Sequence, residues 1–312
     1  MSFDIERYKA NSRKIDLSDI EWDRVRDHPL PQEAIDSMLY MMDIETHTAI
    51  YLSELLVSKA CMDPVITSFL SCWVYEEMYH GEAFVQFLRA YGVPVSDDRP
   101  KEIRLKEGFG RVTATMTIMF GSYLIPFFPA LYLSVGAVNE MTTLTGYQQL
   151  MKRAGHPILD RILERIIKQE RTHYAFYRSM AEQLLADSAA ARRLNRWFMD
   201  QRFVAVGEGV KTRDEVNRLA LYLFDGEDGR AATRRIDQEA ARLPGLEGIN
   251  LLERIRDRAY DETGQPDPGR PPVQAGAARR AAPSPVALSA GAAVVAATAL
   301  YLTGRRSRQV AA

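Results

Sequence analysis

The pattern Glu-x-x-His occurs twice in this chain, as Glu77 with His80 and as Glu170 with His173, each time in the middle of a long run with helical apolar periodicity. In the first run Ile66, Phe69, Trp73, Glu77, His80, Phe84 and Phe87 recur at steps of three and four, and in the second Leu159, Leu163, Ile166, Glu170, His173, Tyr177 and Met180 do the same. That spacing puts both polar side chains of each motif on the face a helix turns toward its core. Two other runs place one carboxylate each on such a stripe. Glu45 lies among Met38, Met41, Ala49, Leu52 and Leu56, and Glu140 among Leu133, Ala137, Leu144, Tyr147 and Met151. The lone glutamates precede the motif glutamates by 32 and 30 positions, which reads as two similar helix hairpins.

Four inward carboxylates are prohibitive unless something cationic meets them, because an unpaired buried charge costs several kcal/mol or neutralises itself by shifting its pKa. The stripes carry no Lys or Arg. Two divalent metal ions would cancel four carboxylates and leave two neutral imidazoles as ligands, and side chains at i and i+3 can reach one metal together. A lone Glu-x-x-His is usually a solvated helix face; the doubling, with one extra Glu from each of two other helices, is the ligand set of ferritin-like di-iron carboxylate bundles. The expected ligands are Glu45, Glu77, His80, Glu140, Glu170 and His173, with two irons as cofactor. His47 lies two residues from Glu45 on another face, and His156 falls in an interhelical turn, so both read as structural.

No run of alternating β-branched residues appears, and the expected fold class is all-α, a helical bundle with a di-metal core and extra C-terminal helices. Helices are expected over 31–59, 64–92, 109–154 with a break near Pro126 and Pro129, and 157–186, followed by shorter ones near 188–205, 212–224, 230–242 and 248–261. Asp63-Pro64 supplies a cap and a first-turn proline, while Gly92 and Gly155 supply stops. Residues 112–138 carry no charge, and the two prolines favour a buried helix there over a membrane span.

Basic and acidic residues balance, 40 against 41, which argues against a nucleic-acid partner. The two cysteines, Cys61 and Cys72, form no metal or disulfide pattern and fit a reducing, cytoplasmic setting. Five histidines are too few for a membrane desaturase built on histidine clusters. The bundle is expected over 1–262. Residues 263–285 shift to Pro, Gly, Ala and Arg and read as a disordered linker. Residues 286–303 follow, with seven alanines and six Val or Leu in the uncharged 286–302; they read either as a short C-terminal membrane anchor or as an Ala-rich tail.

The stretch Trp73-Val-Tyr-Glu-Glu77-Met-Tyr-His80-Gly81, with Glu140-Met-Thr-Thr143 and Glu170-Arg-Thr-His173, resembles the ferritin-like (ribonucleotide-reductase-like) superfamily and most closely the soluble acyl-carrier-protein desaturases, over about 30–190. In that family the residue before each Glu-x-x-His is acidic and hydrogen-bonds a ligand histidine. Glu76 fits this pattern, Gln169 departs from it, and Tyr79 replaces the usual arginine. Phe84 occupies the position of the radical tyrosine of the ribonucleotide reductase small subunit. Leu144 stands where the multicomponent hydroxylases have threonine, and Ile166 where the arylamine oxygenases have a seventh ligand.

The resemblance implies O2-dependent desaturation of a fatty acyl chain held on acyl carrier protein or coenzyme A, with Thr143 delivering a proton, residues 112–138 lining an acyl tunnel, and a ferredoxin with its reductase supplying electrons. Hydroxylation or N-oxidation of a natural product, and iron or peroxide handling, are the rival functions. Arg161, Arg165 and Lys168 read either as a carrier-docking face or as solvated surface, and a homodimer is compatible with the sequence.

Overall fold

The computed structural model describes residues 3–106 and 108–268, and for 108–111 the backbone alone. A short α1 (Ile5–Asn11) and a 3-10 turn (Trp22–Asp27) precede the long α2 (Gln32–Leu56). A second 3-10 turn (Lys59–Met62) leads into α3 (Pro64–Tyr91), followed by α4 (Arg99–Lys106), α5 (Gly108–Leu124), α6 (Phe128–Ala154) and α7 (Pro157–Ala186). Four shorter helices complete the described chain: α8 (Ala189–Arg202), α9 (Arg213–Phe224), α10 (Gly226–Ala240) and α11 (Leu252–Thr263). Among the described residues every regular element is helical, as the periodicity requires.

Helix α2 packs on α3 and α6 on α7, and the two hairpins close on each other through α3 with α7 and α2 with α6. Local chemistry sets their ends. The Asp63 carboxylate accepts from the Val65 and Ile66 N–H groups at 2.8 and 3.2 Å, with Pro64 at the first position of α3. Gly92, at φ 102°, turns that helix off in a left-handed conformation that a side chain would resist. The break in the charge-free run falls at residues 125–127, and Pro129 sits in the first turn of α6, where its missing N–H costs no helical bond. Phe69, Phe84, Phe87, Leu159, Leu163 and Ile166 are fully buried between the hairpins. Each such side chain contributes roughly 1.5–3 kcal/mol.

Residues 112–138 do not form the buried helix expected of them. Most residues of α6 in this run are buried, but α5 packs against α2, α6 and the second 3-10 turn on one side only. Its other side leaves Val112, Met116, Phe120, Tyr123 and Leu124 about half exposed. An uncharged sequence records low polarity, not how many neighbours a helix finds. Helix α4, which buries no side chain, carries no apolar stripe to announce it. It is held from outside, where the Arg99 guanidinium clamps the buried Asp43 carboxylate at 2.6 and 2.8 Å and Arg104 donates to the Thr46 carbonyl.

Arg161 and Arg165 both pair with Asp19 and Arg161 also reaches Glu21, tying the N-terminal segment to α7. At the other end the chain stays docked through Asp267, a buried carboxylate that accepts from Arg230 and Arg256 at 2.6–2.7 Å. Residues 286–303 lie outside the described residues. Among the described residues, no helix is long and apolar enough to cross a membrane.

Candidate metal centre

Each of the four long helices delivers its inward glutamate to one place. Two groups of ligand atoms form there, Glu45, Glu77, His80 and Glu170 in one and Glu77, Glu140, Glu170 and His173 in the other, with the atoms of each group within 4.8 Å of one another. Glu77 and Glu170, the two motif glutamates, belong to both groups. All six side chains are buried, with Glu170, His80 and His173 fully so. His80 Nδ1 lies 3.3 Å from Glu77 and 3.2 Å from Glu170; His173 Nδ1 lies 3.0 Å from Glu77, 3.4 Å from Glu170 and 3.8 Å from Glu140. Both imidazoles therefore present Nδ1 to the shared carboxylates and turn Nε2 outward.

Both Glu170 oxygens and His173 Nδ1 are buried without a hydrogen bond of proper geometry, though the groups face one another. Orphaned buried polar atoms of this kind carry a penalty that metal ligation removes. With four carboxylates, two imidazoles and no Lys or Arg paired to them among the described residues, the donor set fits two divalent cations.

Without metal, protons must do the same work. Burial and the neighbouring Glu77 push the Glu45 pKa well above the usual carboxylate range, and burial with Glu170 and Glu77 does the same to Glu140. Burial acts to raise Glu77 too, but its bonds with Glu45, His173 and His80 outweigh this and hold it well below. Burial and Glu77 oppose ionisation of Glu170, yet its contacts with His173 and His80 leave it lowered. Burial acts to lower both histidines, and the facing carboxylates overcome it, lifting His80 to about 10 and His173 well above its ordinary value. In the metal-free core, protons are thus drawn onto the two imidazoles and onto Glu45 and Glu140 and away from Glu77 and Glu170.

Since the His80 pKa is raised on folding, its contribution to stability is complete below pH 6.5 and is lost as pH climbs through about 10. The metal-free protein should therefore lose about 1.4 kcal/mol per pH unit across that window for this one proton. Metal-loaded protein, with the proton already displaced, should lack this slope. Denaturant unfolding at graded pH measures both, and a flat metal-free profile would refute the proton-sharing account.

The outward imidazole nitrogens find partners across the bundle. His173 Nε2 meets Glu76 Oε2 at 2.7 Å, and His80 Nε2 meets Gln169 Oε1 at 2.8 Å, so the residue preceding each motif supports the histidine of the other. Glu76 also accepts from the Tyr8 hydroxyl and the Arg13 N–H. Tyr147 donates a short hydrogen bond to Glu45 Oε1, and Trp73 Nε1 donates to Glu140 Oε1 at 3.1 Å. Gly81, directly after His80, has a packing reason: a Cβ there would come within 2.6 Å of Thr46 Cγ2 and 3.4 Å of Glu45 Cβ. Its absence lets α2 approach α3 closely enough to deliver Glu45.

An apolar cavity of about 80 Å³ adjoins the Glu45 edge of the site. Tyr40, Met41 and Ile44 of α2 line it, together with Thr142, Thr143, Gly146 and Tyr147 of α6, residues of α9 and α11, and Phe203, Ala205 and Val206 between α8 and α9. None of its lining comes from 112–138, the stretch expected to form an acyl tunnel; α5 packs against α2, α6 and the second 3-10 turn and does not reach the cavity wall. Thr142 and Thr145 spend their hydroxyls on the carbonyls of Val138 and Met141. Among the described residues the Thr143 hydroxyl has no hydrogen-bond partner.

All six expected ligands converge, and His47 and His156 stay out of both groups. His47 packs edge-on against Tyr51 at 5.1 Å, while His156 caps α7 through the Leu159 N–H and reaches the Val25 carbonyl at 2.9 Å. Tyr8 and Arg13 lie in a segment without a long periodic run and carry no signal in the sequence, and the stripe position of Tyr147 marks it only as core. The arrangement is consistent with a ferritin-like di-iron fold. No family model matches the chain, and no curated protein matches its sequence.

Proposed function

We propose that this protein is a di-iron, O2-dependent oxidoreductase that desaturates a carrier-bound fatty acyl chain. The observation that carries the reading is the pair of ligand groups sharing Glu77 and Glu170, set beside an apolar cavity that reaches Glu45, Tyr147 and Thr143. Two bound irons would supply the capacity to reduce O2 at the expense of an unactivated methylene pair, which no side chain here can provide.

The chain's own residues supply binding, alignment and protons. Val216, Leu219 and Leu223 of α9, with Met41 and Ile44 of α2, offer an alkyl chain a water-poor wall along which its methylenes are held beside the carboxylates. The unpartnered Thr143 hydroxyl, one helical turn past Glu140 and on the cavity wall, can hold a proton there. Tyr147 fixes the Glu45 carboxylate, and the buried Trp73, bonded to Glu140, offers an aromatic step through which electrons from a ferredoxin would reach the centre. Each turnover takes two hydrogens from the acyl chain and two electrons and two protons from outside, and converts one O2 to two waters.

The test is anaerobic Fe(II) loading followed by O2 and an acyl-carrier substrate, with optical spectra and product mass recorded together. A product lighter by two hydrogens is expected. Gain of an oxygen atom would replace desaturation with hydroxylation, and iron oxidation without any organic product would move the protein to iron or peroxide handling.

A further inference from the structure

The supports behind the two histidines differ in charge. His173 Nε2 faces a carboxylate, Glu76, at 2.7 Å, whereas His80 Nε2 faces the neutral amide oxygen of Gln169 at 2.8 Å. One peptide segment dictates this difference. The Arg13 N–H donates to Glu76 Oε1 at 3.3 Å and the Arg13 carbonyl accepts from Gln169 Nε2 at 2.7 Å. An N–H calls for an acceptor, which a carboxylate supplies; a carbonyl calls for a donor, which an amide has and a carboxylate lacks. The Tyr8 hydroxyl, 2.9 Å from Glu76 Oε2, adds a second donor on the carboxylate side alone.

A carboxylate accepting the outer N–H of a ligand imidazole makes the ring a stronger donor to metal than a neutral carbonyl does, and changes at such outer partners alter metal affinity by about 10–100-fold. We propose that Glu76 and Gln169, set in place by the Arg13 backbone, make the two metal positions unequal, so that the position served by His173 holds a divalent ion more tightly than the one served by His80. This rests on the two-metal reading of the site and adds to it an order of loading: the His173 position fills first and empties last. Glu76 and Gln169 act through the histidines and are positioning residues.

The experiment is equilibrium dialysis of cobalt-loaded full-length protein against a series of chelator-buffered Co2+ concentrations, with metal per chain and the cobalt absorption bands read at each step. Loss in two steps separated by about 10–100-fold in free Co2+ is expected. Gln169→Glu should move the weaker step toward the tighter one although it forfeits the bond to the Arg13 carbonyl, and Glu76→Gln should move the tighter step toward the weaker. Glu76→Asp, which keeps a carboxylate, should preserve two steps, an outcome a merely structural role does not predict. Two cobalt ions leaving in a single unresolved step, or a Gln169→Glu profile identical to wild type, would overturn the inequality while leaving the two-metal site standing. Failure to retain any cobalt would overturn both.

Discussion

Replacing Glu77 or Glu170 by alanine should strip nearly all metal from the protein, while Glu45→Ala or Glu140→Ala should leave about half of it. The difference follows from membership: the motif glutamates belong to both ligand groups and the lone glutamates to one each. Glu170→Ala also leaves two buried imidazoles facing fewer carboxylates, and breaking buried ion pairs in this way costs on the order of 3–5 kcal/mol. Glu170→Gln, nearly isosteric, separates loss of ligation from loss of packing. Metal analysis of the purified variants, with helix content followed by circular dichroism, reads the result. Equal metal loss in all four alanine variants would remove the shared role of Glu77 and Glu170.

Gly146→Leu should cut turnover on a long acyl substrate by about 100-fold, the scale of effect that misplacing a reacting group produces, and leave metal content unchanged. Gly146 lines the cavity on α6, and a Cβ there would find only Leu223 Cδ1 at 3.5 Å and Met41 Cε at 3.7 Å, ordinary contact distances. Alanine therefore fits. Gly146→Ala should stabilise the protein by roughly 0.5–1 kcal/mol through helix propensity, with metal binding intact. Leucine continues past that Cβ into the space an alkyl chain would occupy. Steady-state kinetics and product analysis on substrates of several lengths would show the block, and undiminished turnover of the longest chain would sever the cavity from substrate binding.

The long helices and their inward glutamates were legible because helical amphipathicity is local. Glu77 and His80, or Glu170 and His173, share a face whatever the rest of the chain does, and Asp63, Gly92 and Gly155 punctuate the backbone through their own conformational preferences. Helix α5 shows where that locality ends, since its charge-free sequence resembles that of a buried helix but finds neighbours on one side only. Nor does any local pattern announce the partners of Arg161 and Arg165, since Asp19 and Glu21 lie about 140 positions earlier in the chain.

An all-helical chain with four glutamates and two histidines turned toward a common core follows from local pattern, since each helix must bury its apolar stripe and carries those side chains with it. Only the packed bundle makes Glu77 and Glu170 members of both groups, sets Glu76 on His173 and Gln169 on His80 across 97 and 89 positions, and brings the cavity against Glu45. These pairings depend on how far one helix slides and rotates against another. That is set by the packing of whole faces and by contacts such as the missing Cβ of Gly81 against Thr46, for which no local period in the sequence exists.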